Sequence, residues 1–211
     1  MTRRDAGAFF FAMSVLAACG DDQLQNLPDP EVCLTARDGS QFCIEVYESS
    51  RADATESAGG IDDVSPPVAK AGLLPWTQIT WDGARNACLA KGKRLCEREE
   101  WMDACDGVAT EEGGTKYAYG DERDASICNT DGGGVEPTGQ RAGCKSGPGT
   151  FDQSGNVWEW TGNSAGTAAP RGGSHASSVL HECRSGDINL FIPTTEKSPQ
   201  VGFRCCRDAG R

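Results

Sequence analysis

The sequence is poor in several residue patterns that mark common catalytic or zinc-binding proteins. It contains only two histidines, His175 and His181, and no pair of cysteines in the Cys-x-x-Cys spacing that zinc sites use. It also lacks the Gly-x-Ser-x-Gly motif and any Cys/His arrangement that would indicate a hydrolase. These absences disfavour a zinc-thiolate site and a hydrolase of the common kinds.

Positive charge is also scarce. The chain has 20 Lys and Arg against 31 Asp and Glu, which gives a net charge of −11. A chain this acidic is repelled by nucleic-acid phosphates and by anionic lipid headgroups. We therefore expect no nucleic-acid partner, although an acidic surface by itself identifies no substrate.

Long apolar runs are missing too. The apolar run at residues 6–15 is too short to span a bilayer, and no later segment is long and apolar enough. This run follows Arg3 and Arg4 and leads to Leu-Ala-Ala-Cys at 16–19, a pattern typical of bacterial lipoprotein signals. We predict cleavage before Cys19 and anchoring to a membrane through lipid on its thiol. The alternative is an ordinary secretory signal with an incidental cysteine.

The chain thus divides into three parts. Residues 1–18 are the predicted signal peptide, residues 19–31 the lipidated Cys19 with a polar tether, and residues 32–209 one folded domain, expected to be a monomer. No aspartate directly follows Cys19, so retention at the inner membrane is not signalled. The predicted location is the bacterial cell envelope, with the outer membrane or periplasmic face favoured.

Cysteine, by contrast, is abundant, with eleven residues. If Cys19 carries lipid, ten remain, and an even number in an exported chain predicts a disulfide framework. The ten are Cys33, Cys43, Cys88, Cys96, Cys105, Cys128, Cys144, Cys183, Cys205 and Cys206.

Two helices are indicated by spacing and end signals. Thr80 can cap a helix over residues 81–91, which has apolar residues at helical spacing and Gly92 as its stop. A second helix is predicted over residues 97–105, where acidic residues near the start suit the helix dipole.

Strand signals are few. Alternation over residues 42–46 predicts a strand, and residues 202–207 are predicted to form a central strand. Residues 51–66 are predicted to be a loop, and residues 106–150 are rich in Gly, Asp and Thr with little periodicity.

The most informative segment is Phe-Asp-Gln-Ser-Gly-Asn-Val-Trp-Glu-Trp at residues 151–160. A chain that wraps at its Gly-containing turn could bring Asp152 and Glu159 to one point lined by backbone carbonyls, and Ca²⁺ takes oxygen ligands of this kind. The alternative is a tight turn followed by a strand whose two tryptophans, Trp158 and Trp160, lie in the core.

Three further segments share an order and spacing with this one. They are Gly-Lys-Arg-Leu at 92–95 leading to Glu-Trp at 100–101, Arg-Gly-Gly-Ser at 171–174, and Gly-Phe-Arg-Cys at 202–205. Together the four segments resemble the formylglycine-generating enzyme family, also called the sulfatase-modifying-factor domain, from about residue 42 to 207. The resemblance implies an α+β, C-type-lectin-like fold with little regular secondary structure, held by disulfides and bound ions.

The family's disulfide pattern carries over onto two pairs, Cys88–Cys205 and Cys105–Cys183. For the other six cysteines, Cys33–Cys43 would staple a hairpin, Cys128–Cys144 would staple a loop, and Cys96–Cys206 remains. If residues 202–207 form a strand, Cys205 and Cys206 point to opposite faces and bond different partners. A free, reactive thiol at Cys96 or Cys206 is the open alternative.

The resemblance also implies a structural Ca²⁺ site. Its ligands would be the side chains of Asp152 and Glu159 and the backbone carbonyls of Gly155 and Val157. Relatives often have Asn at the position of Asp152. Asp keeps a side-chain oxygen and adds a negative charge, which should strengthen Ca²⁺ binding. A second Ca²⁺ site would begin near Asn129.

The family's catalytic residues do not carry over. Active members hold copper(I), a soft ion, with two cysteines five residues apart after the Gly-Gly-Ser turn, and oxidise a cysteine of a substrate peptide to formylglycine. Here Ser177 stands at the first position, the second has no counterpart, and only Ser174 is retained. The sequence therefore predicts no catalytic residue and no copper.

We therefore expect a membrane-anchored, non-catalytic binding or accessory module in the cell envelope. A peptide or a glycan could occupy the family's cleft, with walls that include Trp158, Trp160 and Ser174. An enzyme remains an alternative, either a formylglycine-generating oxidase with Cys96 or Cys206 reassigned as copper ligands, or an oxidase with a metal on His175 and His181. A Ca²⁺-dependent glycan-binding module is the third possibility.

Overall fold

The fold consists of short elements separated by long irregular segments. The computed structural model describes residues 28–107, 114–177, 181–184 and 192–210. In this part of the chain the elements are β1 (Glu31–Thr35), β2 (Gln41–Glu45), α1 (Trp81–Ala90), β3 (Arg94–Leu95), α2 (Arg98–Asp106), β4 (Trp158–Thr161), β5 (Ala169–Arg171), β6 (Val201–Phe203) and β7 (Cys205–Asp208). The expected α+β class with little regular structure is confirmed.

The strands form two small sheets. One has the order β1-β2-β7-β3, and every neighbouring pair in it is antiparallel. The other has the order β5-β4-β6, with β4 antiparallel to β5 and parallel to β6. All four residues of β4 are buried, which makes it the centre of the second sheet.

The C-terminal strand differs from its prediction. Residues 202–207 do not form one central strand, because β6 belongs to the second sheet and β7 to the first. Arg204 lies between them, and its fully buried side chain points at Glu159 of β4. The chain passes from the second sheet to the first at this residue, so residues 202–207 cannot be one continuous strand of either sheet.

Both helices lie within one residue of their predicted ends. The Thr80 hydroxyl accepts a hydrogen bond from the Gly83 N–H at 3.1 Å, as expected of an N-terminal cap. Gly92 follows α1 with a φ of +73°, a conformation that glycine adopts without strain. At the start of α2, the Glu100 carboxylate accepts the Glu97 N–H at 2.8 Å.

Five disulfides connect these elements. All five predicted pairs are present, and Cys205 and Cys206 do bond different partners: the pairs are Cys33–Cys43, Cys88–Cys205, Cys96–Cys206, Cys105–Cys183 and Cys128–Cys144. The alternative of a free thiol at Cys96 or Cys206 is wrong, because these two residues bond each other and are fully buried.

The first strand begins at Glu31, the last residue of the predicted tether, and the Asp29 carboxylate pairs with Lys91 at 2.5 Å. The signal peptide and Cys19 lie outside the described residues. No helix in the part of the chain that the structure describes combines the length and apolarity of a membrane span.

Candidate functional site

A fully buried ion pair lies where the two sheets meet. The Arg204 guanidinium donates from Nε and Nη2 to the two carboxylate oxygens of Glu159, at 2.7 and 2.6 Å. The indole N–H of Trp101 donates to the same carboxylate at 2.7 Å. Arg204 also donates to the backbone carbonyls of Glu45, Val46 and Phe151. Every strong acceptor and donor of this pair is therefore satisfied inside the protein.

Two more carboxylates share this interior. Glu48 accepts a hydrogen bond from the Asn156 side-chain amide at 2.6 Å and another from the Val157 N–H at 3.3 Å. Asp152 accepts the Gly139 N–H at 2.6 Å. Glu48 is fully buried and Asp152 is 6% exposed, so neither charge is well hydrated.

The charges in this cluster do not balance. Three carboxylates, those of Glu48, Asp152 and Glu159, share one guanidinium. Burial raises the pKa of Asp152 to about 7, against the pull of the Gly139 N–H and the Arg204 charge. Burial, followed by the charges of Asp152 and Glu159, raises the pKa of Glu48 well above its usual value. Asp152 and Glu48 therefore stay protonated to a higher pH than exposed carboxyls do, unless a second cation lies beside them.

The turn before β4 brings the predicted calcium residues into one buried segment. Asp152 and Asn156 have φ values of +64° and +58°, and Gly155 has +125°. A Cβ added to Gly155 would lie 2.4 Å from the Asn129 carbonyl oxygen, so only glycine fits this approach. That Asn129 carbonyl accepts the Asn156 N–H at 2.8 Å. Asn129, where the sequence predicts the start of a second site, thus packs directly on Gly155 and Asn156.

These residues offer the kind of ligand atoms that Ca²⁺ prefers, but their side chains are not arranged around a common point. The donors are hard oxygens, and three carboxyl groups share one guanidinium, so a bound Ca²⁺ would favour the ionised forms of Asp152 and Glu48. However, both oxygens of Glu159 are occupied by Arg204 and Trp101. Within the described ranges no three His, Cys, Asp or Glu side chains are placed to hold a metal ion. A cation here would depend on Asp152, on backbone carbonyls and on a rearranged Glu159.

The segment that corresponds to the family's active site is a closed hydrogen-bond network. The Ser174 and Ser177 hydroxyl oxygens are 2.9 Å apart, and Ser174 donates to the Gln200 side-chain oxygen at 3.0 Å. The Ser177 hydroxyl also accepts the Ser174 N–H at 3.1 Å. Among the described residues the Ser174 hydroxyl contacts Ser177, Gln200 and the Ala176 N–H, none of which is a base that could activate it as a nucleophile. Residues 178–180 of the segment lie outside the described residues.

The two histidines flank these serines along the chain. His181 Nε2 lies 3.2 Å from the Ser174 backbone carbonyl. His175 donates its backbone N–H to the Asn156 carbonyl, and its Nδ1 is buried without a partner in the described residues. Burial lowers the pKa of both side chains, which are therefore mostly neutral at pH 7.

The predicted cleft walls are wrong for both tryptophans. Trp158 is 7% exposed and Trp160 is 1% exposed, and both pack in a core cluster with Phe203. The Trp160 indole donates to the Ile79 carbonyl at 3.1 Å, so its polar atom is satisfied inside. They lie on the same face of β4, which packs toward α1. The alternative, two core tryptophans after a turn, is the correct one, and Ser174 is fully buried too.

Comparison with known families decides what kind of domain this is. The sulfatase-modifying factor enzyme 1-like domain matches residues 43–209. The chain belongs to this family. It is 30% identical over 160 residues to the inactive C-alpha-formylglycine-generating enzyme 2 of Bos taurus, covering 65% of this chain and 52% of that protein. The Mus musculus enzyme of the same name is 29% identical over 164 residues, covering 65% and 50%. The chain spans about half the length of these two relatives.

Solved structures show the same fold at low sequence identity. Treponema denticola variable protein 1 has a TM-score of 0.58 at 16% identity, covering 86% of this chain and 93% of that one. CarF has a TM-score of 0.59 at 19% identity, covering 86% and 98%. PvdO from Pseudomonas aeruginosa has a TM-score of 0.55 at 18% identity, covering 86% and 92%. The expected sulfatase-modifying-factor-like fold is confirmed, and these structures show the fold alone.

Several members of the buried cluster carried no functional signal in the sequence. Glu48 lies 108 positions from Asn156, the side chain that binds it, and no periodicity links them. Arg204 belongs to the Gly-Phe-Arg-Cys segment, but that pattern does not say that its partner is Glu159, 45 positions away. The one sequence signal for a buried ion pair was the charge of Arg204 beside Phe203 and Cys205 in this segment.

Proposed function

We propose that this chain is a non-catalytic binding or accessory member of the sulfatase-modifying factor family that acts in the bacterial cell envelope. One observation carries the proposal: each of the ten cysteines from Cys33 to Cys206 is in a disulfide. No thiolate from this set remains for copper(I), which prefers soft sulfur ligands. The two curated relatives at 30% and 29% identity, both called inactive, support the same conclusion.

The residues at the family's active site support it as well. Ser177 stands where copper-binding members have a cysteine, and its hydroxyl is engaged with Ser174. A serine hydroxyl is a hard, weak ligand that stays protonated at neutral pH, so it cannot replace a thiolate. The reassignment of Cys96 and Cys206 as copper ligands is not proposed, since they form a disulfide.

The chemistry is tested with the purified protein, Cu(I), oxygen and a Cys-x-Pro-x-Arg peptide. We expect no aldehyde on the peptide by mass spectrometry. Thiol titration of the unfolded, unreduced protein checks the cause, with no thiol expected among the ten domain cysteines. Aldehyde formation together with two free thiols would overturn the proposal.

A peptide or a glycan is the ligand class that we propose for this module. The partly exposed part of the family's active-site segment is formed by His175, Ala176 and Ser177, since Ser174 and both tryptophans of β4 are buried. Binding of Cys-x-Pro-x-Arg peptide, measured by calorimetry and reduced by Ala176→Trp, would support this site. Equal binding by the variant would place the ligand elsewhere.

We also propose that the domain binds one structural Ca²⁺ beside Asp152, where the excess negative charge of three buried carboxylates supports it. The ion would offset this charge and would carry no step of a reaction. The test is thermal melting in Ca²⁺ and in chelator. A higher melting temperature in Ca²⁺, reduced by Asp152→Ala, is expected. Equal melting temperatures in both buffers would contradict this second proposal.

The location in the envelope rests on Leu-Ala-Ala-Cys at 16–19. Labelled palmitate supplied to an expressing bacterium should appear on the wild-type protein and not on the Cys19→Ala variant. The variant should also leave the membrane fraction. Membrane association without lipid would contradict an anchor at Cys19.

A further inference from the structure

The irregular segment between β2 and α1 presents two apolar side chains to solvent. Ile61 is 91% exposed and Val64 is 92% exposed. Among the large apolar side chains of the described residues only Leu89, at 49%, is also classed as exposed. Single exposed apolar residues are ordinary on protein surfaces. Two of them, three positions apart at one loop tip and almost completely hydrated, are unusual for a chain this polar.

The loop that carries them is fixed by its own side chains. Asp53 accepts hydrogen bonds from the backbone N–H groups of Ile61 at 2.9 Å and Asp62 at 3.1 Å. Asp62 in turn accepts the N–H groups of Val64 and Ser65, both at 2.9 Å. The backbone at both apolar residues is therefore held by carboxylates of the same loop.

Arg51 fastens this loop to the body of the domain. Its Nε pairs with the Asp63 carboxylate at 2.8 Å, and its Nη1 donates to the Gly59 carbonyl at 3.2 Å. Its guanidinium carbon lies 4.8 Å from the ring centroid of Trp76, which is buried. A loop that is ordered before it binds loses little conformational entropy on binding, and this favours recognition.

Negative charge surrounds the exposed side chains. The loop contains Asp53, Glu56, Asp62 and Asp63, and Asp63 forms an ion pair with Arg51. Hydrogen bonds from the backbone N–H groups of Ile61 and Asp62 lower the pKa of Asp53. A hydrogen bond from the Ser65 side chain, followed by those from the backbone N–H groups of Ser65 and Val64, lowers the pKa of Asp62, so both carboxylates are ionised at neutral pH. The tip of this loop, residues 61–64, thus exposes two apolar side chains that are surrounded by carboxylates.

We propose that this tip docks into an apolar socket rimmed by lysine and arginine on a partner protein. Charge complementarity selects this occupant. A second copy of the chain fits poorly because the chain carries a net charge of −11. A bilayer fits poorly because insertion of Ile61 and Val64 would bring their carboxylate neighbours to the headgroups. The tip lies between β2 and α1, on a different segment of the chain from Ser177, so the proposal goes beyond the function proposed above.

The test uses the full purified protein and a fluorescent amphipathic peptide of Leu and Lys as the probe. Fluorescence anisotropy should show binding that weakens at least tenfold in the double variant I61S/V64S. Leu89→Ser is the matched control, because it removes an exposed apolar side chain from α1, and it should bind as the wild type does. Glu56→Gln should weaken binding by a smaller factor, and added salt should slow association.

The substitutions replace solvent-exposed side chains, so folding should be unaffected, and the melting temperature checks this. The proposal fails if the wild type does not bind the probe, or if I61S/V64S binds it as well as the wild type does. It also fails if the protein sediments with phosphatidylethanolamine vesicles through Ile61 and Val64, since the occupant would then be a membrane.

Discussion

At the scale of single residues, Arg204 shows how one side chain can fix several distant parts of a chain. Its guanidinium holds Glu159 of β4 and the backbone carbonyls of Glu45, Val46 and Phe151. Replacing a well-formed buried pair with apolar residues can be neutral, but removing one partner leaves an uncompensated charge in a low-dielectric interior. The importance of Arg204 therefore lies in what its loss would expose.

The two single variants of this pair should differ in a predictable order. Glu159→Gln should cost about 3 kcal/mol of unfolding free energy, since Arg204 would keep its hydrogen bonds to three backbone carbonyls. Arg204→Met should cost more, about 5 kcal/mol, because it leaves Glu159 as a buried carboxylate without its cation and those three carbonyls without a donor. Denaturant unfolding of the oxidised protein measures both values.

An exposed glutamate provides the control for this pair. Glu122→Gln lies on the surface and should stay within about 0.5 kcal/mol of the wild type. If Arg204→Met proved no more destabilising than Glu159→Gln, the unbalanced charge of the cluster would not be the governing term.

At the scale of elements, Glu45 joins the end of β2 to the segment after α1 and to β7. Its carboxylate pairs with Lys91 at 2.6 Å and with Lys93 at 2.8 Å, and it accepts the Cys205 N–H at 3.0 Å. Burial alone would raise the pKa of Glu45, but the two lysines outweigh it and lower the pKa. The junction is therefore built for the ionised carboxylate.

A lowered folded-state pKa gives this junction a definite pH dependence. Its contribution is fully present above the unfolded pKa of about 4.5 and is lost as the pH falls through the lower folded value. Unfolding free energy should therefore drop on acidification below about pH 4.5. Glu45→Gln should be less stable at pH 7 and should show a shallower drop, measured by urea unfolding across the acid range.

Glu99→Gln is a suitable control for the junction, since Glu99 is exposed and lies at the start of α2. Its acid profile should follow that of the wild type. A Glu45→Gln profile as steep as the wild-type profile would mean that other carboxyls govern acid unfolding.

At the scale of the whole molecule, two disulfides run side by side between the same regions. Cys88–Cys205 and Cys96–Cys206 close loops of 117 and 110 residues. Once one of these bonds is formed, the other closes a loop of only about nine residues. That loop combines the separation of eight positions from Cys88 to Cys96 with the separation of one position from Cys205 to Cys206. The entropic gain from the second bond is therefore much smaller than its sequence separation suggests.

This overlap of the two loops predicts strong non-additivity. In the chain-entropy model, removing either bond with paired Cys→Ala changes should cost about 2.5–3 kcal/mol, since the other still closes the long loop. Removing both should cost about 7–8 kcal/mol, which exceeds the sum of the single losses by about 2 kcal/mol. A double-variant cycle in denaturant measures this difference.

Removing Cys33–Cys43 supplies an independent comparison. That bond closes a loop of 10 residues within one hairpin and should cost about 2.5 kcal/mol whether or not the two overlapping disulfides are present. Additive losses for the overlapping pair of disulfides would indicate that strain in the folded state, not chain entropy, dominates their effect.

The sequence determined the features that depend on near neighbours or on residue chemistry. Thr80 and Gly92 bounded α1 because caps and stops act within one turn of a helix. The even set of ten cysteines indicated a full disulfide framework, which the five bonds confirm. Ser177 in place of a cysteine predicted that the family's copper ligand is missing. The four ordered segments indicated the family, which the domain match confirms.

Only the tertiary structure decided which residues share the interior. It split residues 202–207 between two sheets at Arg204, placed Trp158 and Trp160 in the core, and gave Glu159 to a guanidinium. These outcomes arise from contacts between residues tens to more than a hundred positions apart, and local patterns carry no information about such pairs. Burial of a charge is decided by the partner that neutralises it, and that partner is selected by the fold.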